Sequence, residues 1–199
     1  GLTYEIIVAD NGSTDNSALV AKNNRADVIQ VSQKGYGSAL RHCIEHCNGK
    51  YIIMGDADDS YNFLELSLFI ERLQAGYDMV MGNRFAGGIT KGAMPWLHRY
   101  VGNPFLSSLG RFLFKNNIGD FHCGLRAFTK KCYNIINPQC NGMEFASELV
   151  ALASIHQMRI CEIPVTLYPD GRKRRPHLRS WRDGFRHMVL LYSLYLLRN

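Results

Sequence analysis

The chain has 199 residues, of which 46% are hydrophobic, 20% charged and 11% aromatic, which suits one globular domain with its own core and excludes disorder. Only 18 glycines and 6 prolines exclude collagen-like and low-complexity classes, and no apolar run reaches the ~20 residues that cross a bilayer. The net charge of +6 sits between Arg172 and Arg186, where seven basic residues accompany one acid, so it points to a specific anionic partner, phosphate above all, rather than to nucleic acid in general.

The chain opens on Tyr4–Ala9, a continuous apolar strand. A sequence that starts without methionine or secretory signal and runs straight into a strand reads as a fragment trimmed before Gly1. The turn Asp10-Asn-Gly-Ser-Thr-Asp15, rich in capping residues, leads to a helix near Ser17–Asn23 and a strand at Val28–Val31. Gly35-Tyr-Gly37 opens the helix Ser38–Cys47, which Asn48-Gly49 stops before the buried strand Tyr51–Met54. After Asp56–Ser60 come a helix from Phe63 to Ala75 and the strand Asp78–Met81. The glycine-rich stretch Ala86–Gly92 predicts a mobile loop, and Leu97–Phe114 a helix carrying Arg99 and Arg111. Phe121–Thr129 and Arg159–Leu167 are strand-like, Gly142–His156 is helical, and an apolar helix closes the chain. Short apolar strands alternating with helices predict an α/β domain on a mostly parallel sheet. Ligands of such sheets bind beyond the carboxyl ends of the strands, which puts Asp10 and the cluster Asp56-Ala-Asp58-Asp59 on one rim.

The six cysteines contain no Cys-x-x-Cys pair, and a domain of this size needs no disulfide framework, so free thiols are expected. His42, Cys43, His46 and Cys47 look like a metal cluster, but Ala39, Cys43 and Cys47 repeat at i, i+4 and i+8 and belong to the core stripe of a helix. Asp56-Ala-Asp58 is the stronger candidate. Two carboxylates at i and i+2 after a buried strand offer hard oxygen ligands to Mg2+ or Mn2+, with substrate phosphates completing the shell. A calcium loop fits poorly, because Tyr61 and Ser67 stand where it needs glycine and glutamate. Gly35-Tyr-Gly37 makes a weak dinucleotide fingerprint, since Leu40 takes the third glycine position.

In order, Ile7-Val-Ala-Asp-Asn-Gly-Ser-Thr-Asp15, Lys34-Gly-Tyr-Gly37 and Met54-Gly-Asp-Ala-Asp58 resemble the family 2 glycosyltransferases of GT-A fold, and among them the polyprenyl-phosphate (dolichyl-phosphate) mannose and glucose synthases. Gly82-Asn-Arg-Phe85, Asp120-Phe-His-Cys-Gly-Leu-Arg126, Gly142-Met-Glu-Phe-Ala-Ser-Glu148, Glu162-Ile-Pro-Val165 and the stretch from Pro169 to Gly184 extend the resemblance over nearly the whole chain. One departure is that family members begin with a further strand and a Pro-x-x-Asn-Glu-like loop that helps hold the nucleotide. The resemblance thus implies a GT-A domain over residues 1–184, its first strand missing, followed by an apolar helix over 185–199 that suits a membrane interface.

The resemblance also implies roles. Asp10 accepts a hydrogen bond from the nucleobase, or else only caps the following helix; Asn11 replaces the second acid usual there. Asp56 and Asp58 hold the metal on the donor diphosphate, with Asp56 nearer the ribose. Arg84 and Arg99 bind the acceptor phosphate, joined by Asn103, and the planar guanidinium fork suits that task; the alternative is ordinary pairing with neighbouring acids. Glu144 falls where related enzymes carry the acid proposed as general base, whereas Glu148, one turn on, is expected to be structural. Glu144 and Asp120 are expected to orient acceptor or sugar, a true base being less necessary because an acceptor phosphate is already anionic. Arg172, Arg174 and His177 close over the diphosphate, and the same basic segment suits an anionic lipid surface.

The implied activity is metal-dependent, inverting transfer of a hexose from a UDP- or GDP-sugar to a polyprenyl phosphate. The expected location is the cytoplasmic side of a membrane, peripheral for this segment, with transmembrane helices after Asn199 in the longer protein. Two other readings are a family 2 enzyme with a soluble or polysaccharide acceptor, and a non-catalytic polyanion binder. Nucleic acid is not an expected partner, because Trp181 is the main stacking aromatic among the basic residues.

Overall fold

The computed structural model describes residues 2–171 and 180–198. Its strands are β1 (Ile7–Asp10), β2 (Asp27–Gln30), β3 (Tyr51–Met54), β4 (Met79–Asn83), β5 (Arg126–Thr129) and β6 (Ile160–Pro164). Between and after them lie helices α1 (Ser17–Asn23), α2 (Tyr36–His46), α3 (Ser67–Gln74), α4 (Arg84–Gly87), α5 (Asn103–Phe114), α6 (Lys130–Ile136), α7 (Phe145–Ile155) and α8 (Ser180–Leu197). A 3-10 turn, Phe63–Glu65, precedes α3, and a π-helical turn, His98–Gly102, precedes α5.

β1 and β2 form a parallel pair, and the other four strands form a sheet in the order β3-β5-β4-β6. β4 and β6 are parallel, whereas β5 runs antiparallel to both β3 and β4. The mixed α/β architecture is therefore a central sheet flanked by helices, with one strand reversed in its interior. That reversal sets the geometry of the rim. Arg126, the first residue of β5, is in register with Met54 at the end of β3 and with Met81 in β4.

Period-2 alternation divides the core between the two faces of the sheet. Met79, Met81 and Phe128 pack on one face with Ile44, Phe145 and Leu149 from α2 and α7. Val80, Ala127 and Ile163 pack on the other with Phe69 and Leu73 from α3. All six cysteines are free. Cys47 packs against the first cluster, as the helical stripe predicts.

The structure departs from the sequence pattern in four places. The strand-like stretch Phe121–Thr129 pairs only from Arg126, because residues before it form a hydrogen-bonded loop instead of a ladder. Ala86–Gly92, expected as a mobile loop, is tied down: Thr90 N donates to Leu167 O, and Leu167 N to Gly88 O. A short helix, α6, follows β5 without a break, started by the Thr129 hydroxyl accepting from Cys132 N. The C-terminal helix already includes Ser180–Gly184, so the apolar stretch from residue 185 is not an element of its own.

α8 also has a buried side. Leu191 is completely enclosed and packs with Leu113, Phe114 and Ala151 of α5 and α7, while its neighbour Tyr192 is exposed. Leu191→Ala is expected to destabilise the fold by about 2–5 kcal/mol, and Tyr192→Ala by less than about 0.5 kcal/mol. Urea denaturation of the two variants checks both.

Candidate functional site

The rim at the carboxyl ends of the strands gathers most of the residues singled out by sequence. Two contacts join the acidic clusters after β1 and β3. The Asn11 side chain donates to Val31 O and Gln33 O and accepts from Gly35 N, which fixes the segment before α2. The next residue, Tyr36, is half-buried and hydrogen-bonds the Asp56 carboxylate; burial, then the Asp56 charge, pushes its phenol well above the ordinary value. Lys34 Nζ donates to Asn11 O at 2.5 Å, over Gly12. The Gly-Tyr-Gly segment is a packing device, since a Cβ on Gly37 would lie 2.3 Å from Cys140 O and 2.7 Å from Phe145 Cβ.

Asp10 is buried, and its two oxygens are engaged locally. Oδ1 accepts from Gly12 N (3.2 Å) and Ser13 N (2.7 Å), and Oδ2 from the Gln30 amide (2.8 Å). These bonds, that from Ser13 N foremost, hold its pKa down at about 2. Asp10 therefore shapes the turn after β1; α1 itself begins after Asn16. Asp58 Oδ1 accepts from Ser60 N and Ser60 Oγ, which fixes its side chain in the loop after β3.

On the other side of Asp56 lies the loop that enters β5. A Cβ on Gly124 would sit 2.2 Å from Asp56 Oδ2, so only glycine leaves room for the carboxylate there. Gly124 N donates to the buried Tyr61 hydroxyl, and Gly119 N and Asp120 N to the two carboxylate oxygens of Glu162 on β6. Asp120 is completely buried and takes Arg84 Nε at 2.7 Å and Nη2 at 2.8 Å, with Arg84 N at 3.1 Å. Burial opposes the Arg84 charge, but the Asp120 charge and hydrogen bonds more than offset it and raise the guanidinium pKa. Asp120 is thus enclosed with both carboxylate oxygens on the Arg84 guanidinium, which it holds in place.

Arg99 is half-buried on the π-helical turn, donates to Ile89 O and stacks beside Tyr100. Turns of this kind recur at functional sites. His98 before it feels the Arg84 charge, after burial the second cause of its lowered pKa, so Arg84 and the turn are neighbours. Asn103 begins α5, its amide against Met94 Sδ at 3.4 Å.

Glu144, the N-cap of α7, and Glu148 in its first turn have different partners. Glu148 accepts from Gln139 N and Cys140 N and so anchors the preceding loop. Glu144 is buried and ion-paired with Arg186 of α8. One turn on, the Ser147 hydroxyl bridges His122 Nε2 (2.9 Å) and His187 Nδ1 (2.7 Å), whose pKa burial pushes down to about 4. The Arg186 and His187 contacts clip α8 to the site. Sequence reading missed them, as it missed Tyr36, Glu162 and Arg126. Arg172, Arg174 and His177 lie outside the described residues.

Asp56 and Asp58 supply hard carboxylate oxygens of the kind Mg2+ or Mn2+ takes. Among the described residues, no group of three or more His, Cys, Asp or Glu side chains is arranged to hold a metal by itself. Such a donor set leaves coordination positions to phosphate and water, which Mg2+-type ions favour over an all-protein cage.

The sequence profile of glycosyl transferase family 2 matches residues 1–135, and the chain belongs to that family. The low-salt glycan biosynthesis hexosyltransferase Agl6 of Haloferax volcanii is 40% identical over 185 residues, covering 92% of this chain and 44% of that protein. The dolichyl-phosphate hexose transferase of the same organism is 30% identical over 161 residues, covering 80% of this chain and 68% of that protein. The chain thus spans less than half the length of Agl6. Glucosyl-3-phosphoglycerate synthase from Mycobacterium tuberculosis, in complex with Mn2+, UDP-glucose and phosphoglyceric acid, superposes with a TM-score of 0.75 at 18% identity, covering 95% of this chain and 68% of that one. That likeness shows the GT-A fold.

The Asp10 geometry has a pH signature. Its folded pKa lies below the unfolded value, so its stabilisation is present above the unfolded pKa and is lost as pH falls toward about 2. The stability difference between wild type and Asp10→Asn is expected to be constant above about pH 5 and to shrink steadily toward about pH 3. Urea titrations at stepped pH check this.

Proposed function

We propose that this domain transfers a hexose from a nucleotide sugar to the phosphate of a polyprenyl phosphate, with inversion at the sugar and a divalent metal on the donor. The observation that carries this reading is the meeting of two half-sites on one loop. Gly124 lies against Asp56, while Asp120 of the same loop grips Arg84. The dolichyl phosphate in the name of the Haloferax relative and the Mn2+ and UDP-glucose of the mycobacterial complex support the two ligand classes.

Asp56 and Asp58 hold the metal, Asp10 contacts the base of UDP or GDP, and Arg172, Arg174 and His177 close over the diphosphate. When bound, the ion supplies charge neutralisation for the departing nucleoside diphosphate. Arg99, Asn103 and the Asp120-oriented Arg84 bind the acceptor phosphate and aim it for in-line attack. That phosphate has a second pKa near ~6 and is already anionic at neutral pH, so no strong base is required. Glu144, paired with Arg186, orients the acceptor or sugar instead of removing a proton.

The same reading seats the domain on the cytoplasmic face of an anionic membrane. No helix among the described residues is long and apolar enough to cross one. Phe185, Val189, Tyr192 and Leu196 recur at i, i+4, i+7 and i+11 as an exposed stripe on α8. α5, packed beside it, exposes Phe105 and Phe112 and ends near the exposed Arg111 and Lys115. An amphipathic surface flanked by cations is suited to an anionic leaflet.

Transfer of radiolabelled hexose from UDP- or GDP-sugars to dolichyl or undecaprenyl phosphate tests the activity. Asp58→Asn keeps an oxygen for the Ser60 bonds but loses the charge, and is expected to abolish transfer with an unchanged melting temperature. Arg99→Ala removes a charge-assisted contact of roughly 1.5–3 kcal/mol, and is expected to raise the acceptor KM at least about tenfold while nucleotide affinity stays within about twofold. Equal losses for donor and acceptor would refute the division into two half-sites. In a separate measurement, the protein is expected to sediment with anionic vesicles at low salt and to be released as salt rises. Replacing Phe185 and Tyr192 by Ser is expected to weaken that binding; equal binding to neutral vesicles would remove the electrostatic part.

A further inference from the structure

We propose that Arg126 is a positioning residue that holds the donor and acceptor halves of the site in register, a role that rests on the transferase reading above. Its side chain has no exposure at all. Nε and Nη2 donate to Cys123 O at 3.0 and 2.6 Å, Nη2 also approaches Phe121 O at 3.4 Å, and Nη1 donates to Ala146 O at 2.8 Å. No acidic side chain pairs with it among the described residues.

A buried cation without a counter-charge is unfavourable unless fixed dipoles surround it. Here three carbonyls do so, and two of them belong to the loop between Asp120 and Gly124. The third lies in the first turn of α7, beside Ser147. The guanidinium thereby folds the loop back on its own strand and fastens it to α7. The two ends of that loop do the work described above: Asp120 orients Arg84, and Gly124 makes space for Asp56. The Tyr36 phenol, which hydrogen-bonds Asp56, also senses the Arg126 charge, so the cation lies close behind the donor half-site.

A planar fork is needed for this. Lysine carries the same charge on a compact head whose donors diverge, and it cannot bridge carbonyls on two sides at once. A role in bulk stability alone requires none of that geometry, and the two possibilities separate experimentally.

Arg126→Lys and Arg126→Gln are compared with wild type by steady-state kinetics on the folded fraction and by amide hydrogen exchange. The expected result for Arg126→Lys is a kcat at least about tenfold lower and KM raised for donor and acceptor alike, unlike the one-sided effect of Arg99→Ala. The amides of Gly119, Asp120 and Gly124 are expected to lose protection in both variants while those of Phe128 and Met79 keep theirs. Exchange in the wild type keeps the test open if either variant fails to fold: the loop amides should then be as protected as β5. Kinetics within about twofold of wild type, loop protection unchanged in the variants, or loop amides unprotected in the wild type would each overturn the proposal. If the wild type transfers no sugar to a lipid phosphate, the transferase reading fails, and exchange still decides whether Arg126 holds the loop.

Discussion

The reversed direction of β5 is the constraint on which the rest of the rim depends. In an all-parallel sheet every strand is entered from the end remote from the ligand side. Because β5 runs backwards between β3 and β4, the chain enters it at their carboxyl ends, with Arg126 opposite Met54 and Met81. The entering segment, Gly119 to Leu125, is thereby placed between Asp56 after β3 and Arg84 after β4. Strand polarity thus decides that one loop touches both candidate half-sites.

That loop cannot rely on a ladder for its hydrogen bonds, so other elements supply them. Glu162 accepts from Gly119 N and Asp120 N, Ser107 from Phe121 N, and Tyr61 from Gly124 N, while Arg126 takes the carbonyls. Each partner comes from a different part of the fold. A loop so determined is rigid without being regular, which is what a site needs if charged groups are to stay aimed through a reaction. Placing Glu144 and Ser147 at the start of α7 adds a fifth connection, because Arg186 and His187 then tie α8 to the same region.

Much of the fold was legible from local pattern. Tyr51–Met54 and Ser17–Asn23 are bounded in the sequence by the same residues that bound them in the structure. Asn-Gly after α2 and the run of capping residues after β1 mark breaks that need no tertiary information. The two half-sites were legible only as motifs. Asp56-Ala-Asp58 announces a pair of carboxylates, but nothing nearby in sequence tells that Tyr36 and Gly124 hold one of them. Asp120 and Arg84 could each be picked out, but not their bidentate pairing across 36 residues of chain.

What the sequence by itself determined is therefore most of the elements, the carboxylate pair, the candidate arginines and the apolar, basic character of the C-terminal region. These depend on neighbours within one turn or one strand, where spacing is a direct guide to geometry. Only the tertiary structure decided that β5 is reversed, that Asp120 is buried against Arg84, that Arg126 carries its charge among carbonyls, and that α8 buries Leu191. Each of those depends on groups tens of residues apart. Burial and hydrogen bonding between such groups follow from how the layers pack, and periodicity within one segment shows which face is buried but not which distant residue meets it.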